Sequence, residues 1–142
     1  MSDLERFTSA QDGGGTWDAA LAELRRGRKT THWMWFVLPQ LAGLGSSPMA
    51  QRYAIASLVE ARAYLAHPVL GPRLVEAATA AAEAPAASAD ALMGGIDALK
   101  LRSSMTLFAR AAEDEDPFRR VLARWYGGEE DPATSRLLEA RG

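Results

Sequence analysis

Residues 101–112 read LRSSMTLFARAA, and their apolar side chains recur every three or four positions. This spacing places Leu101, Met105, Phe108 and Ala112 on one stripe of an α-helix. The next segment repeats the pattern over residues 118–125. The chain has neither alternating β-branched runs nor an Asn-Gly or Asp-Gly hairpin signal, so the pattern predicts an all-α fold.

The composition supports helices in one domain. Of the 142 residues, 28 are alanine, the strongest helix former, and 16 of these lie in residues 51–100. Hydrophobic residues make up 48% and charged residues 24%, as in an ordinary globular domain. We therefore predict a single helical domain over residues 1–142, a compact bundle of roughly seven to nine short helices. The end of the Ala-rich stretch 77–91, after Pro85, is expected to be an exposed connection.

Capping side chains mark several helix starts. Ser2 and Ser57 each stand three residues before a glutamate, as in a capping box. Ser47, Asp116 and Asp131 each precede a proline, which suits the first helical position. Together with the periodicity, these signals predict helices near residues 3–11, 16–27, 32–38, 48–56, 58–66, 68–84, 97–112, 117–126 and 132–140.

Charge and residue usage exclude several classes of protein. A net charge of −2 argues against a basic face that follows a nucleic-acid backbone. The longest apolar run is far shorter than the ~18 residues of a membrane span, and residues 1–5 lack signal-peptide features, so a cytoplasmic protein is expected. With no cysteine and two histidines, neither a metal site nor a cofactor is predicted. A monomer and a homodimer both stay open.

The segment 28–40, RKTTHWMWFVLPQ, is the densest aromatic and basic stretch. As a helix it places His32, Trp35 and Phe36 on one face. Aromatic walls with a few polar groups, here His32 and Gln40, are typical of small-molecule pockets. The alternative is that the aromatic residues are simply core and the histidine is hydrogen-bonded within it.

Two cations lie between a helix end at Gly27 and these aromatic residues. Arg28 and Lys29 are placed to contact the phosphates of a small ligand. The alternative is an ordinary solvated charge run.

A second segment, residues 97–108 (DALKLRSSMTLF), places Asp97, Lys100 and Ser104 on one helix face beside Leu107. A lysine beside hydroxyl groups on a half-apolar face suits a nucleophile or base. Alternatively, the hydroxyl side chains let two helices approach and bond to the carbonyl four residues earlier, with Asp97 a helix cap and Lys100 its charge partner. The hydroxyl residues are Ser103, Ser104 and Thr106.

These segments carry a resemblance. The matching segments are residues 4–11, 27–45, 53–74 and 97–108, and over nearly its whole length the chain resembles a family of small bacterial proteins of unknown function, often labelled "calpastatin". The resemblance implies an all-α single domain with no established activity. The chain departs from the family pattern at Thr31, where serine is usual, and at Met93-Gly94, where Ile-Phe-Gly is common.

A fainter similarity is to the NADAR family, which is associated with NAD and ADP-ribose metabolism and includes N-glycosidases. It rests on residues 31–34 (THWM), 47–50 (SPMA) and 100–108. Thr31 stands where that family has an acidic residue, which puts catalysis by the same route in doubt.

Two functional hypotheses follow. In the first, the protein binds or hydrolyses a nucleotide or ADP-ribose-like ligand at its N-glycosidic bond. Lys100 would attack or stabilise the anomeric carbon, His32 would move the proton, and Asp97 or Glu60 would supply a carboxylate. The ligand-binding set would be Arg28, Lys29, Trp33, Trp35, Gln40, Ser103, Ser104 and Thr106. In the second, the chain is a non-catalytic helical interaction or regulatory module.

Overall fold

The chain folds into α-helices, as the apolar periodicity predicts. The computed structural model describes residues 3–141, in which an isolated bridge between Leu41 and Ile55 is the one β-type pairing. The all-α prediction is confirmed. The helices are α1 Glu5–Asp12, α2 Thr16–Arg26, α3 Met34–Val37, α4 Pro48–Arg52, α5 Leu58–Ala66, α6 Leu70–Glu83, α7 Ala89–Met93, α8 Gly95–Ala111, α9 Asp116–Tyr126 and α10 Pro132–Ala140, with a short 3₁₀ turn at Gly13–Gly15.

Most of the predicted helix caps form. The side chains of Ser47, Ser57 and Asp131 each accept a hydrogen bond from the amide three residues on, at 3.1, 3.2 and 3.0 Å. The prediction for Asp116 is wrong, because this residue is already the first residue of α9 and no side chain caps that helix. The cap predicted at Ser2 lies outside the described residues.

The Ala-rich region departs from the prediction in part. Residues 84–88 form a connection in which Pro85, Ala87 and Ser88 are exposed, but residues 89–93 form α7, which the Ser88 hydroxyl caps by accepting from the Ala91 amide at 3.0 Å. Leu92 and Met93 are buried. Burying these two large side chains stabilises a short helix that composition alone does not indicate.

Helix α8 is the centre of the core. It packs against α5, α7, α9 and α10, while α6 packs against α2, α5 and α9. A chain of aromatic contacts crosses this core, with ring centroids 5.1 Å apart for Phe7 and Tyr64, 5.3 Å for Tyr64 and Phe108, and 6.0 Å for Phe108 and Phe118. In the described part of the chain, no helix combines the length and apolar character needed to cross a bilayer. Helix α8 contributes Leu101, Met105 and Phe108 to the core, and the same helix carries the candidate residues of segment 97–108.

Candidate functional site

A buried carboxylate orders the loop between α2 and α3. Glu23, near the end of α2, is 2% exposed. One of its oxygens accepts hydrogen bonds from the backbone N–H groups of Thr30 (2.7 Å) and Thr31 (3.0 Å) and from the indole N–H of Trp33 (3.0 Å). The other oxygen accepts from the Thr31 hydroxyl at 2.5 Å. The loop therefore folds around the Glu23 side chain. Because residues 30–33 belong to this loop, α3 begins at Met34 and not at residue 32 as predicted.

The same donors keep this carboxylate ionised. Burial raises the pKa of Glu23, but the hydrogen bonds from Thr31, Thr30 and Trp33 outweigh burial and lower the pKa to about 2. Sequence reasoning missed this residue. The signal was available, because Glu23 interrupts the buried apolar face that Leu21 and Leu24 form on α2.

Lys29 joins this loop to α8. Its Nζ lies 2.9 Å from Oδ2 of Asp97 and donates to the carbonyl oxygen of Thr31 at 2.6 Å. The Lys29 amide also donates to the carbonyl of Leu92, at 2.7 Å. The Lys29 side chain is 7% exposed, and its Nζ lies 5.1 Å from the ring centroid of Trp33. This lysine is thus a buried tie between the two candidate segments.

Lys100 reaches the same aspartate from one turn further along α8. Its Nζ lies 3.6 Å from Oδ1 of Asp97 and 5.4 Å from the ring centroid of Trp35. The Lys100 side chain is 26% exposed and that of Asp97 21%. The two segments therefore meet, as the first hypothesis requires, and Lys100 is the more accessible of the two ammonium groups.

These two lysines are the only ones in a chain that contains 14 arginines. Both pair with Asp97, and each lies beside a tryptophan ring. A compact ammonium group is thus used at this one place, whereas arginine serves every other cationic position.

The remaining residues of segment 28–40 divide between the core and the surface. Trp33 is fully buried, so its ring belongs to the core and not to an open surface. Arg28 and His32 are exposed, and in the described residues no hydrogen bond or ion pair joins either side chain to Asp97 or Lys100. Trp35 and Gln40 are half-buried, and with their neighbours they line a narrow cavity of about 10 Å³, room for about one water. Neither His32 nor Lys100 lines that cavity.

The hydroxyl residues of α8 have mostly structural partners. The Ser103 hydroxyl oxygen lies 3.2 Å from both the Leu99 carbonyl oxygen, four residues earlier, and the Asp131 carboxylate, so its one proton is shared between these two acceptors. Thr106 donates to the carbonyl four residues before it at 2.8 Å and accepts from the Asp131 amide at 2.9 Å. Both side chains thereby hold the start of α10, as the helix-packing alternative describes. Ser104 is fully buried, and its hydroxyl has no partner in the described residues.

The two carboxylates considered for the site differ in position. Asp97 lies in the first turn of α8, whose cap is Gly94, so the alternative that made Asp97 the cap is wrong. Its pairing with Lys100 at i, i+3 is present. Glu60 is buried, accepts from the Ala56 amide at 2.9 Å and lies 3.5 Å from the Arg6 guanidinium. Asp97 is therefore the carboxylate beside Lys100. Within residues 3–141, no three His, Asp or Glu side chains are grouped to hold a metal ion.

Comparisons with known proteins identify a family. Residues 1–138 match the family model described as "Protein of unknown function (DUF1810)". The conserved hypothetical protein Rv1873 from Mycobacterium tuberculosis, whose crystal structure is solved, is 52% identical, with a TM-score of 0.92 over 96% of each chain. No curated protein matches this chain. The resemblance to an uncharacterised family is confirmed: the chain belongs to the DUF1810 family of proteins of unknown function.

Proposed function

We propose that the junction between Trp35 and α8 binds a nucleotide-like ligand such as ADP-ribose. The observation that carries this proposal is the position of Lys100 Nζ, 5.4 Å from the ring centroid of the half-buried Trp35. An indole face offers a stacking surface for a base, and an adjacent ammonium group offers a charge for a phosphate. Asp97 holds the ammonium beside the ring.

The accessible members of the predicted set define the binding surface. Arg28 is exposed, and its guanidinium makes no hydrogen bond or ion pair within residues 3–141, so it is available to a phosphate. Lys29 is committed to Asp97, and Trp33 to Glu23. We therefore assign phosphate contacts to Arg28 and Lys100 and base stacking to Trp35. Lys29 and Trp33 hold the loop in place through Asp97 and Glu23.

The proposal extends to hydrolysis of the ligand's N-glycosidic bond. The bond between the anomeric carbon and the base nitrogen breaks, and the base leaves with the electron pair and takes a proton from His32. Water attacks the anomeric carbon, which keeps the water oxygen, and the water proton passes to Asp97, while the Lys100 ammonium holds the ligand's phosphate. Asp97 is the carboxylate nearest to Lys100 that can offset the positive charge developing on the sugar.

Calorimetric titration tests binding separately from hydrolysis. Titrated with ADP-ribose, NAD and ADP, the protein is expected to bind, and Lys100→Gln and Trp35→Leu are each expected to weaken binding about tenfold. Arg136→Gln, an exposed change on α10, is the matched control and leaves affinity unchanged. Absence of binding to all three ligands at millimolar concentration would refute the proposal. Chromatography of NAD and ADP-ribosylated guanosine after incubation shows whether a base is released.

A specific observation favours the second hypothesis, a non-catalytic interaction module. Ile96 and Leu99 are 73% and 68% exposed and lie one turn apart on α8, next to Asp97 and Lys100. Large aliphatic side chains left in water beside a charged site are typical of a protein-binding surface. If the ligand titrations fail and Leu99→Ser abolishes association with a partner protein, this function replaces the first.

A further inference from the structure

Helix α5 exposes one large aliphatic side chain. Val59 is 73% exposed, whereas the next residue, Glu60, is 8% exposed and belongs to the interior. A surface helix usually turns its aliphatic residues inward and its charged residues outward. Val59 therefore contributes apolar surface to the outside of α5.

Two cavities flank this face, one on each side of Arg62. The larger, of about 500 Å³, is lined by apolar side chains that include Leu65, Val75 and Phe118. The smaller, of about 210 Å³, opens between α5 and α10 and is lined in part by Val59. Arg62 lines both cavities, and we call their combined lining the α5 surface.

The charges of the α5 surface are of opposite sign and come from different elements. Arg62 lines the larger cavity from α5, and Glu113 and Asp114 line it from the connection between α8 and α9. In the part of the chain that the structure describes, no ion pair within 4.0 Å involves any of these three side chains. Arg62, Glu113 and Asp114 are thus left without an ion pair around an apolar floor, although the Asp114 carboxylate accepts from the Asp116 amide at 3.0 Å. A second cation, Arg141, lines the smaller cavity and donates to the carbonyls of Ala56 and Ala42.

We propose that the α5 surface binds a second copy of this chain in a two-fold symmetric dimer. A two-fold axis through the apolar floor places Arg62 of one protomer opposite Glu113 and Asp114 of its partner, and the reverse pairing forms at the same time. Both sets of charges are neutralised, and Val59 and Val75 leave water against their symmetry mates. A surface with opposite charges around an apolar centre is complementary to itself, which favours a second copy over an unlike partner.

Sedimentation velocity across a concentration series tests the dimer. From the 15.3 kDa monomer the mass is expected to double with rising concentration. Arg62→Glu places like charges opposite one another at both contacts, as does the double variant Glu113→Lys with Asp114→Lys, and each is expected to weaken dimerisation at least tenfold. Mixing the two variants restores the dimer, because both contacts in the heterodimer then join opposite charges.

Controls make the result specific to this surface. Arg136→Glu, a charge reversal on the exposed side of α10, leaves the dimer intact, and circular dichroism checks that every variant keeps its helix content. Monomer mass at all concentrations overturns the proposal. A dimer that both charge reversals leave unchanged also overturns it, since association then uses another surface. Saturation of the wild-type surface by an added basic or acidic peptide, with no self-association, assigns the surface to an unlike partner and equally overturns the proposal.

Discussion

The indole N–H of Trp33 donates to Oε1 of Glu23 at 3.0 Å, and both residues are buried. The amides of Thr30 and Thr31 donate to the same oxygen. A fully buried carboxylate is tolerated only when its oxygens are satisfied in this way. The loop that carries Arg28, Lys29 and His32 therefore depends on a side chain that does not itself reach the candidate site.

Replacing this carboxylate with an amide of the same size is expected to destabilise the fold. In Glu23→Gln one acceptor oxygen becomes an NH₂ group that faces donors, so we expect a loss of about 2 kcal/mol in the free energy of unfolding. Urea denaturation measures the loss. Glu76→Gln, which removes a largely exposed ion pair with Arg25, is the matched control and changes stability by less than about 0.5 kcal/mol. Equal effects in the two variants would contradict the structural role of Glu23.

The free energy of unfolding in acid also depends on Glu23. The pKa of Glu23 is about 2 in the folded protein against 4.5 for the free side chain, so its contribution is fully present above about pH 4.5 and is lost as the pH falls towards 2. Hydrogen bonds from Arg110, against the opposing effect of burial, likewise lower the pKa of Glu130 to about 2. Each group contributes on the order of 3 kcal/mol.

The measurement is the free energy of unfolding between pH 6 and pH 2. It is expected to decline most steeply below pH 4.5 in the unaltered chain, and Glu23→Gln is expected to flatten that decline. Glu76→Gln serves again as the control and keeps the full slope. The assignment fails if Glu23→Gln follows the same pH dependence as the unaltered protein.

Gly71 is required by a close approach of the backbone. A Cβ atom at this position, in the first turn of α6, would lie 2.1 Å from the carbonyl oxygen of Leu65. Gly71→Ala must therefore displace the α5–α6 turn, and we expect it to cost about 3 kcal/mol. Gly95, at the start of α8, has nothing within 4 Å of such an atom, so Gly95→Ala is the matched control and is expected to leave stability unchanged or raise it by up to about 1 kcal/mol. Thermal unfolding of both variants distinguishes a packing constraint from a general helix effect.

Features set by neighbouring residues could be predicted from the sequence. Ser57 and Asp131 cap their helices because the capping oxygen and the amide that it binds lie three residues apart. The stripe through Leu101, Met105 and Phe108 is buried because helical periodicity alone defines that face. Helix α7 was missed because its stability comes from burying Leu92 and Met93 against distant parts of the chain.

The candidate site was predictable only in part, for the same reason. Segments 28–40 and 97–108 were identified from their unusual residues, and the structure brings them together through Asp97. The orientation of each side chain depends on tertiary partners that the sequence does not place. Thr106 binds the backbone of Asp131, 25 residues away, and His32 is exposed although its neighbour Trp33 is fully buried.

The two lysines on Asp97 are expected to differ sharply in their effect on stability. Lys29 is 7% exposed and satisfies both Asp97 and the Thr31 carbonyl, so Lys29→Met leaves a carbonyl without its donor and a partly buried carboxylate with one ion pair fewer. We expect this change to cost about 3 kcal/mol. Lys100→Met removes the longer, 3.6 Å pair of a more exposed side chain and is expected to cost less than about 1 kcal/mol. Urea denaturation of the two methionine variants compares them directly, because each exchanges an ammonium group for a thioether of similar length. If the two costs are equal, Lys29 is not the tie between the loop and α8; if Lys100→Met is the more damaging, Lys100 is a structural residue and its place in the binding proposal is lost.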